Sequence, residues 1–447
     1  MEIKMNVSGK TVCLGVVGCP VEHSISPQLH NTMAKIMKKD VIYAAYRVEK
    51  GEMQNAINAM RTLSIRGLNV TIPHKEDAAR FCDRIDPFAQ KMGACNTLVN
   101  EGGVIKGYNT DGIGFIRSLE RKDVFVQEKR VAIIGAGGAA SGVAMALAEY
   151  GAKKIMIMNR TREKADLLCE KINNYYPQRA ESISEIENCD ILINATNVGM
   201  NSAESPFDDF GKLKDTVVCD IVYCPRETVF LKKARAAGLL TVGGIGMLIE
   251  QAASAFELFT GDKVNIETIK HLYKMTELER SIVLTGFMGT GKSTVGKALC
   301  SLTGAQFIDT DDLIEKETGM KISEIFKIYG EEHFRDIESS VIKSLSGMKG
   351  AVISLGGGAV IRRENIDLMR ERGFVVCLKA DIERVYKNIG GDGDTRPLLS
   401  GKTMEEAAAL LKSREEFYKN CDFALDVTEL EKDESAALIL EKYMQNV

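Results

Sequence analysis

The stretch Val131-Ala132-Ile133-Ile134-Gly135-Ala136-Gly137-Gly138-Ala139-Ala140 decides how this chain is read. Four apolar residues make a short strand, and G-x-G-x-x-A then opens a helical run that stops at Gly151. In such a turn the first glycine allows the sharp reversal and the second lets backbone approach a pyrophosphate. The final small residue lets the helix pack close to the strand. The helix N-terminus offers free N–H groups and the positive end of its dipole to phosphate. Gly135, Ala136, Gly137, Gly138 and Ala139 are therefore candidate dinucleotide contacts.

The next strand ends at Asn159-Arg160-Thr161, some twenty residues on. An NAD site places Asp or Glu there for the ribose 2′-hydroxyl, and this chain has neither. A guanidinium matches phosphate oxygens in shape and charge. Arg160, with Asn159 and Thr161, points to a 2′-phosphate and hence to NADPH/NADP+.

Outward from this turn, short apolar runs alternate with helical patterns: Lys154–Met158, Asp190–Asn194, Val217–Ile221, Ile282–Thr285 and Val352–Leu355. Such alternation predicts α/β domains with largely parallel sheets. A helical segment is expected over 247–275, packing back on the first block. The 447 residues leave room for two to four domains. Composition is ordinary for packed domains, with 45% hydrophobic and 27% charged residues. A net charge of -4 argues against a nucleic-acid partner. No apolar run reaches membrane-spanning length, and Val12 to Val17 is too short for a signal core. The 11 cysteines show no CxxC pair and the 5 histidines no HExxH spacing. A reduced, cytoplasmic protein without a His-rich zinc site is expected. Oligomeric state is not readable.

A second glycine-rich turn, Gly286-Phe-Met-Gly289-Thr290-Gly291-Lys292-Ser293-Thr294, follows another apolar strand and satisfies G-x-x-x-x-G-K-S. Its backbone amides cradle phosphate, Lys292 reaches the β- and γ-phosphates of ATP, and Ser293 binds Mg²⁺.

The first block carries Ser24-Ile-Ser26-Pro27, Asn69-Val-Thr71-Ile-Pro-His-Lys75, Asn96-Thr97 and Asn109-Thr110-Asp111-Gly112. Each alone suits turn chemistry; together, beside a dinucleotide turn, they suggest a polyhydroxylated substrate. In order, SxSP, NVTxPHK, CNTL, NTDG, GAGGAA, NRT, NATxxGM, DxxYxP and GxGMLxxQAAxAF resemble shikimate dehydrogenase from Ser24 to Phe256. The resemblance implies a substrate domain over 10–120, completed by helices of 245–275, and a Rossmann NADP domain over 121–244. It implies that Ser24 and Ser26 hold the substrate carboxylate with Tyr223 nearby. Thr71, Asn96, Asp111 and Gln251 would hold ring hydroxyls, with Asn69 supporting them. Thr196, Ile221, Gly244 and Met247 would line the nicotinamide side. Lys75 and Asp111 would form the proton-transfer pair. A lysine ammonium can protonate and stabilise a developing alkoxide. Phe259 stands where related sequences often carry tryptophan.

Beyond a short linker at 276–280, residues 281–447 resemble shikimate kinase, a P-loop domain with a parallel sheet. The resemblance rests on the P-loop, Phe307-Ile-Asp309-Thr-Asp311, Gly330-Glu-Glu-His-Phe-Arg335-Asp-Ile-Glu338, Gly356-Gly357-Gly358, Arg396-Pro397, and Arg414 with Tyr418. It implies that Asp309 supports Mg²⁺ and that Asp311 orients the attacking hydroxyl, a role for which a carboxylate of ordinary pKa can serve. Arg335, Gly357 and Arg414 would hold the carboxylate, and Arg396 would close onto the transferring phosphate. Gly289, Thr290, Gly291 and Thr294 complete the ATP contacts.

The expectation is a bifunctional enzyme: reduction of 3-dehydroshikimate to shikimate, then phosphorylation of shikimate. A quinate-preferring NAD enzyme would need an acidic residue near Asn159. A different small-molecule P-loop kinase is disfavoured by Asp311, Arg335 and Arg414. A catalytically dead half is disfavoured by the intact Lys75, Asp111, Lys292 and Asp311. The short linker predicts that the catalytic units sit close together.

Overall fold

The computed structural model describes residues 7–21, 24–200, 202, 204–276, 278–389 and 403–446. The chain divides into two compact units, Met1–Tyr273 and Lys274–Val447.

The first unit contains two six-stranded sheets. Strands β1 (Val12–Gly18), β2 (Val41–Arg47), β3 (Gly67–Val70), β4 (Arg84–Ile85), β5 (Thr97–Glu101) and β6 (Val104–Tyr108) lie in the order β2-β1-β3-β5-β6-β4. β1 runs parallel to β2 and β3, and β4 parallel to β6, whereas β5 is antiparallel to both of its neighbours. The sheet is thus mixed, although parallel pairing dominates the three sheets as expected. The cause is local. Gly102 and Gly103, both with positive φ, reverse the chain in two residues, and so tight a turn can join only antiparallel strands.

The second sheet is built from β7 (Arg130–Ile134), β8 (Lys154–Met158), β9 (Ala180–Ser182), β10 (Ile191–Asn194), β11 (Val217–Asp220) and β12 (Leu240–Val242), in the order β12-β11-β10-β7-β8-β9. All its pairs are parallel. Its central strands are buried from Val131 to Ile134 and from Ile191 to Asn194, as expected where helices cover both faces. Strand order reverses between β7 and β10, the topological switch at which doubly wound sheets open a ligand crevice.

The helical segment expected over 247–275 consists of two helices, Ile245–Thr260 and Ile266–Thr276. Gly261, left-handed at φ 78, ends the first. That first helix does return to the opening block. A Cβ on Gly67 would overlap the Phe259 ring, and one on Gly114 would sit 2.6 Å from Gln251 Cβ. Arg66 Nε donates to Phe259 O at 3.1 Å and Arg121 Nε to the buried Glu250 Oε1 at 2.8 Å.

The second unit holds one five-stranded sheet: β13 (Ser281–Gly286), β14 (Gln306–Asp309), β15 (Ala351–Ser354), β16 (Gly373–Lys379) and β17 (Phe423–Asp426), in the order β14-β15-β13-β16-β17. Every pair is parallel. The long helix Ile322–Leu345 is kinked at Gly330, whose φ of 85 leaves the helical region. Among the described residues, no helix is long and apolar enough to cross a membrane. No disulfide joins any of the eleven cysteines, all of which are described.

Candidate functional sites

In the first unit the polar motifs converge because each sits where a strand of the mixed sheet ends. Lys75 opens the helix Lys75–Phe81, and Asp111 opens the helix Asp111–Glu120. A carboxylate at a helix N-terminus is favoured by the dipole. Lys75 Nζ donates to Asp111 Oδ2 at 2.6 Å. Asn96, buried at the start of β5, donates through Nδ2 to the other carboxylate oxygen at 2.8 Å. Its Oδ1 accepts from Thr110 N at 2.8 Å and Thr97 Oγ1 at 2.9 Å. Asn69 Nδ2 donates to Thr97 Oγ1 at 3.0 Å, and Tyr43 Oη donates to Asn69 Oδ1 at 2.8 Å. Tyr43 lies against Ser26, and Ser26 N donates to Ser24 Oγ at 3.3 Å. One run of hydrogen bonds thus links Ser24, Ser26, Asn69, Asn96, Asp111 and Lys75. Thr71 follows β3, its methyl filling the space that a Gly18 side chain would need. Gln251 turns its amide to Leu248 O of its own helix at 2.9 Å. Tyr223 is largely buried beyond β11, which raises its hydroxyl pKa.

At the glycine turn, Gly135 takes φ 117, and a Cβ there would stand 2.8 Å from Ala195 O. A Cβ on Gly137 or Gly138 would meet nothing within 4 Å. The first turn of the helix Gly138–Glu149 therefore faces open space, as a diphosphate cradle requires. β8 pairs beside β7, and Gly135 N donates to Met158 O at 2.8 Å. This brings Asn159 and the exposed Arg160 and Thr161 next to the cradle. Ala136, Ile221 and Met247 each pack against the same core, and Gly244 lies so near Ile221 O that a Cβ would overlap it. Thr196 donates from N and Oγ1 to Asn194 Oδ1 at 3.1 and 2.7 Å.

Three residues given no role from sequence organise this wall. Asp220 is buried and accepts from Asn194 Nδ2 at 3.0 Å, Val222 N at 2.9 Å and Thr228 Oγ1 at 2.7 Å. Burial pushes its carboxyl up to about 6. Asn194 and Asp220 each stand in a quoted motif, NATxxGM and DxxYxP, but neither motif announces that they meet across two strands.

In the second unit a cleft of about 190 Å³ is lined by the P-loop, Asp309, Asp311, Arg335, Glu338 and Gly356 to Gly358. Gly286, Gly289 and Gly291 all have positive φ, the backbone that lets the loop turn its amides inward. Lys292 Nζ donates to Gly286 O at 2.8 Å and Phe287 O at 3.1 Å. Ser293 Oγ donates to Asp309 Oδ2 at 2.7 Å, while Asp309 Oδ1 accepts from Asp311 N at 3.1 Å. This N-cap turns Asp311 into the cleft.

The Asp311 carboxyl lies above its ordinary value. Burial, with Asp309's charge adding, pushes it up to about 6. Arg335 Nη1 donates to Glu338 Oε2 at 2.7 Å and Nη2 to Glu331 Oε1 at 3.0 Å. Glu338, which sequence reasoning left without a role, is buried, and burial outweighs Arg335's pull to set it at about 7. A Cβ on Gly358 would overlap the Arg335 guanidinium, so glycine is what lets Arg335 lie on this backbone. Arg414 is buried beside Tyr418, and Tyr418 Oη donates to Gly357 O at 2.7 Å. Arg335 thus lines the cleft, while Arg414 reaches Gly357 through Tyr418. Thr290 caps the loop through Phe287 O at 2.8 Å, and Thr294 lines the cleft. Arg396 lies outside the described residues.

A parallel dinucleotide sheet beside a lysine–aspartate pair, followed by a P-loop unit with an acidic cleft, defines an oxidoreductase joined to a small-molecule kinase. Family models match in the same order. Residues 16–98 match the shikimate dehydrogenase substrate binding domain and 119–207 match shikimate / quinate 5-dehydrogenase. Residues 244–272 match the shikimate 5′-dehydrogenase C-terminal domain, and 288–444 match shikimate kinase. A shikimate dehydrogenase (NADP(+)) of Geobacillus sp. is 43% identical over 57% of this chain and 95% of its own length. A crystal structure of shikimate dehydrogenase with NADP+ is 39% identical, with TM-score 0.57, covering 61% of this chain and 97% of that one. The Listeria monocytogenes shikimate 5-dehydrogenase with shikimate and NAD is 33% identical, with TM-score 0.58, covering 60% of this chain and 99% of that one. The chain belongs to the shikimate dehydrogenase family and carries a shikimate kinase domain behind it.

Proposed function

We propose that the first unit reduces 3-dehydroshikimate to shikimate with NADPH and that the second phosphorylates shikimate with ATP·Mg²⁺. The observation that carries the first half is the 2.6 Å Lys75–Asp111 pair at the end of the hydrogen-bond run from Ser24. NADPH supplies the hydride when bound, and ATP·Mg²⁺ the phosphoryl group. Lys75 Nζ gives its proton to the ketone oxygen as that oxygen gains charge, and Asp111 fixes the lysine in place. Ser24, Ser26 and Tyr223 receive the carboxylate; Thr71, Asn96, Asp111 and Gln251 receive the hydroxyls. Arg160, Asn159 and Thr161 hold the 2′-phosphate, which favours NADP over NAD. Thr196, Ile221, Gly244 and Met247 line the nicotinamide side.

In the kinase cleft, Lys292 and the amides of Gly289, Thr290, Gly291 and Thr294 bind the phosphates. Ser293 and Asp309 present two hard oxygens 2.7 Å apart, the donor chemistry Mg²⁺ prefers when phosphates complete its shell. Asp311 orients the attacking hydroxyl; Arg335, Gly357 and Arg414 hold the carboxylate. A loose phosphoryl-transfer transition state needs positioning and positive charge more than a strong base. Arg396 is given the transferring phosphate on the family pattern alone.

The test is the purified chain with 3-dehydroshikimate, NADPH and ATP·Mg²⁺. Loss of nicotinamide absorbance and appearance of a phosphorylated product are both expected. Lys75→Ala should abolish reduction and leave phosphorylation of added shikimate intact; Lys292→Ala should do the reverse. Reduction at an unchanged rate in Lys75→Ala, or no phosphorylation of shikimate, overturns the corresponding half.

A further inference from the structure

Two thiols meet behind the Lys75–Asp111 pair. Cys82 caps the helix that Lys75 opens, its N donating to Ala78 O at 3.1 Å. Cys95 precedes Asn96, and its N donates to Lys75 O at 2.9 Å. The two sulfurs share one small space, the one a side chain on Gly107 would fill. An ideal Cβ on Gly107 would stand 2.5 Å from Cys95 Sγ and 3.0 Å from Cys82 Sγ. Glycine in β6 thus leaves room for both sulfurs side by side. Cys95 is buried, whereas Cys82 is partly open to solvent. The Cys95 thiol's hydrogen bond, foremost, lowers the Cys82 thiol below its ordinary value, which favours the nucleophilic thiolate.

We propose that Cys82 and Cys95 form a redox-modification site, which a peroxide converts to a disulfide that disables the reductase centre. Cys82 thiolate attacks one peroxide oxygen; the O–O bond breaks, and the departing oxygen leaves as water after taking a proton. The Cys95 sulfur then attacks the resulting Cys82 sulfenic acid, forming the S–S bond and releasing a second water. Two thiols lose two electrons and one peroxide gains them. A disulfide needs its sulfurs about 2.05 Å apart, so the residues on either side must shift. Those neighbours are the helix that begins at Lys75 and the Asn96 side chain, which holds Asp111 at 2.8 Å. A displacement of ~1 Å at reacting groups costs on the order of 100-fold in rate.

The activity readout rests on the proposed reduction, whereas the covalent readout stands without it. The full chain is treated with hydrogen peroxide, blocked with an alkylating agent under denaturing conditions, and mapped by mass spectrometry. The expected result is a linked Cys82–Cys95 peptide, with reduction of 3-dehydroshikimate falling roughly 10- to 100-fold in parallel and recovering with dithiothreitol. Cys82→Ser and Cys95→Ser should each keep their reductase activity through the same treatment. Absence of the linked peptide, its formation without loss of activity, or equal loss in Cys95→Ser overturns the proposal. If the untreated chain does not reduce 3-dehydroshikimate, the proposed activity fails, and the linked peptide alone decides whether the site exists.

Discussion

Asp311 offers the sharpest test of the kinase cleft, because its burial sets opposite demands on activity and stability. Its carboxyl rises from 3.8 to about 6, through burial first and Asp309's charge second. At ~1.36 kcal/mol per unit, the cleft disfavours the carboxylate by about 3 kcal/mol. If the carboxylate is the form that orients the hydroxyl, kcat/KM for shikimate must fall as pH drops through about 6. At pH 5 roughly one tenth of the free enzyme then carries the ionised form, so kcat/KM drops about tenfold from its neutral plateau. Stability runs the other way. The folded-state pKa is raised, so the neutral acid's contribution is full below the unfolded value of 3.8 and is lost as pH climbs through about 6. Asp309→Asn removes one cause of the rise, so its acid limb should move to lower pH. Steady-state phosphorylation of shikimate between pH 5 and 8, with shikimate and ATP·Mg²⁺ both held well below their KM so that the rate reports the free enzyme, measures the acid limb in the parent and in Asp309→Asn. A flat profile to pH 5 in the parent, or an acid limb that Asp309→Asn leaves in place, refutes the reasoning.

Three further outcomes follow from geometry already described. Arg160→Ala should raise KM for NADPH by roughly 10- to 100-fold, the worth of a charge-assisted phosphate contact, while KM for NADH stays put; initial-rate kinetics with both nucleotides decides. Gly358→Ala should push the Arg335 guanidinium off its backbone seat and raise KM for shikimate by about tenfold or more, with the reductase untouched. Asn96→Ala strips Asp111 of its 2.8 Å partner and leaves the buried Thr110 N–H unsatisfied. It should cost about 1–3 kcal/mol, read as a lower midpoint for thermal loss of reductase activity, and lower kcat beyond that loss.

Much of the architecture was legible because the chain writes its nucleotide turns locally. Gly135 and Gly286 follow mainly apolar strands and precede helices, and both strands are found within a residue of where periodicity puts them. The mixed first sheet was not legible in this way. β5 and β6 pair antiparallel through a two-glycine turn inside a block otherwise dominated by polar motifs. The break between the two returning helices turned on one left-handed glycine, Gly261, which a helical window averages over. In the sites, residue types and order identified Lys75, Asp111, Lys292 and Asp311. What sequence could not give is mutual burial. Glu338 and Asp220 are ordinary acids in the text of the chain, and acquire raised pKa values only when their strands and helices close around them. Arg335's need for Gly358 is likewise a contact between residues more than twenty positions apart.

The helix Ile245–Thr260 laid across the opening sheet has a consequence for synthesis. Phe259 seals Gly67, and Lys39 Nζ pairs with Asp262 Oδ2 at 2.6 Å. A nascent chain leaving the ribosome at roughly 5–20 residues per second therefore waits on the order of tens of seconds between making β1 to β3 and making the helix that covers them. The nucleotide-binding sheet, complete by Val242, can form meanwhile, so the sheet that is made first is covered after the sheet that is made second.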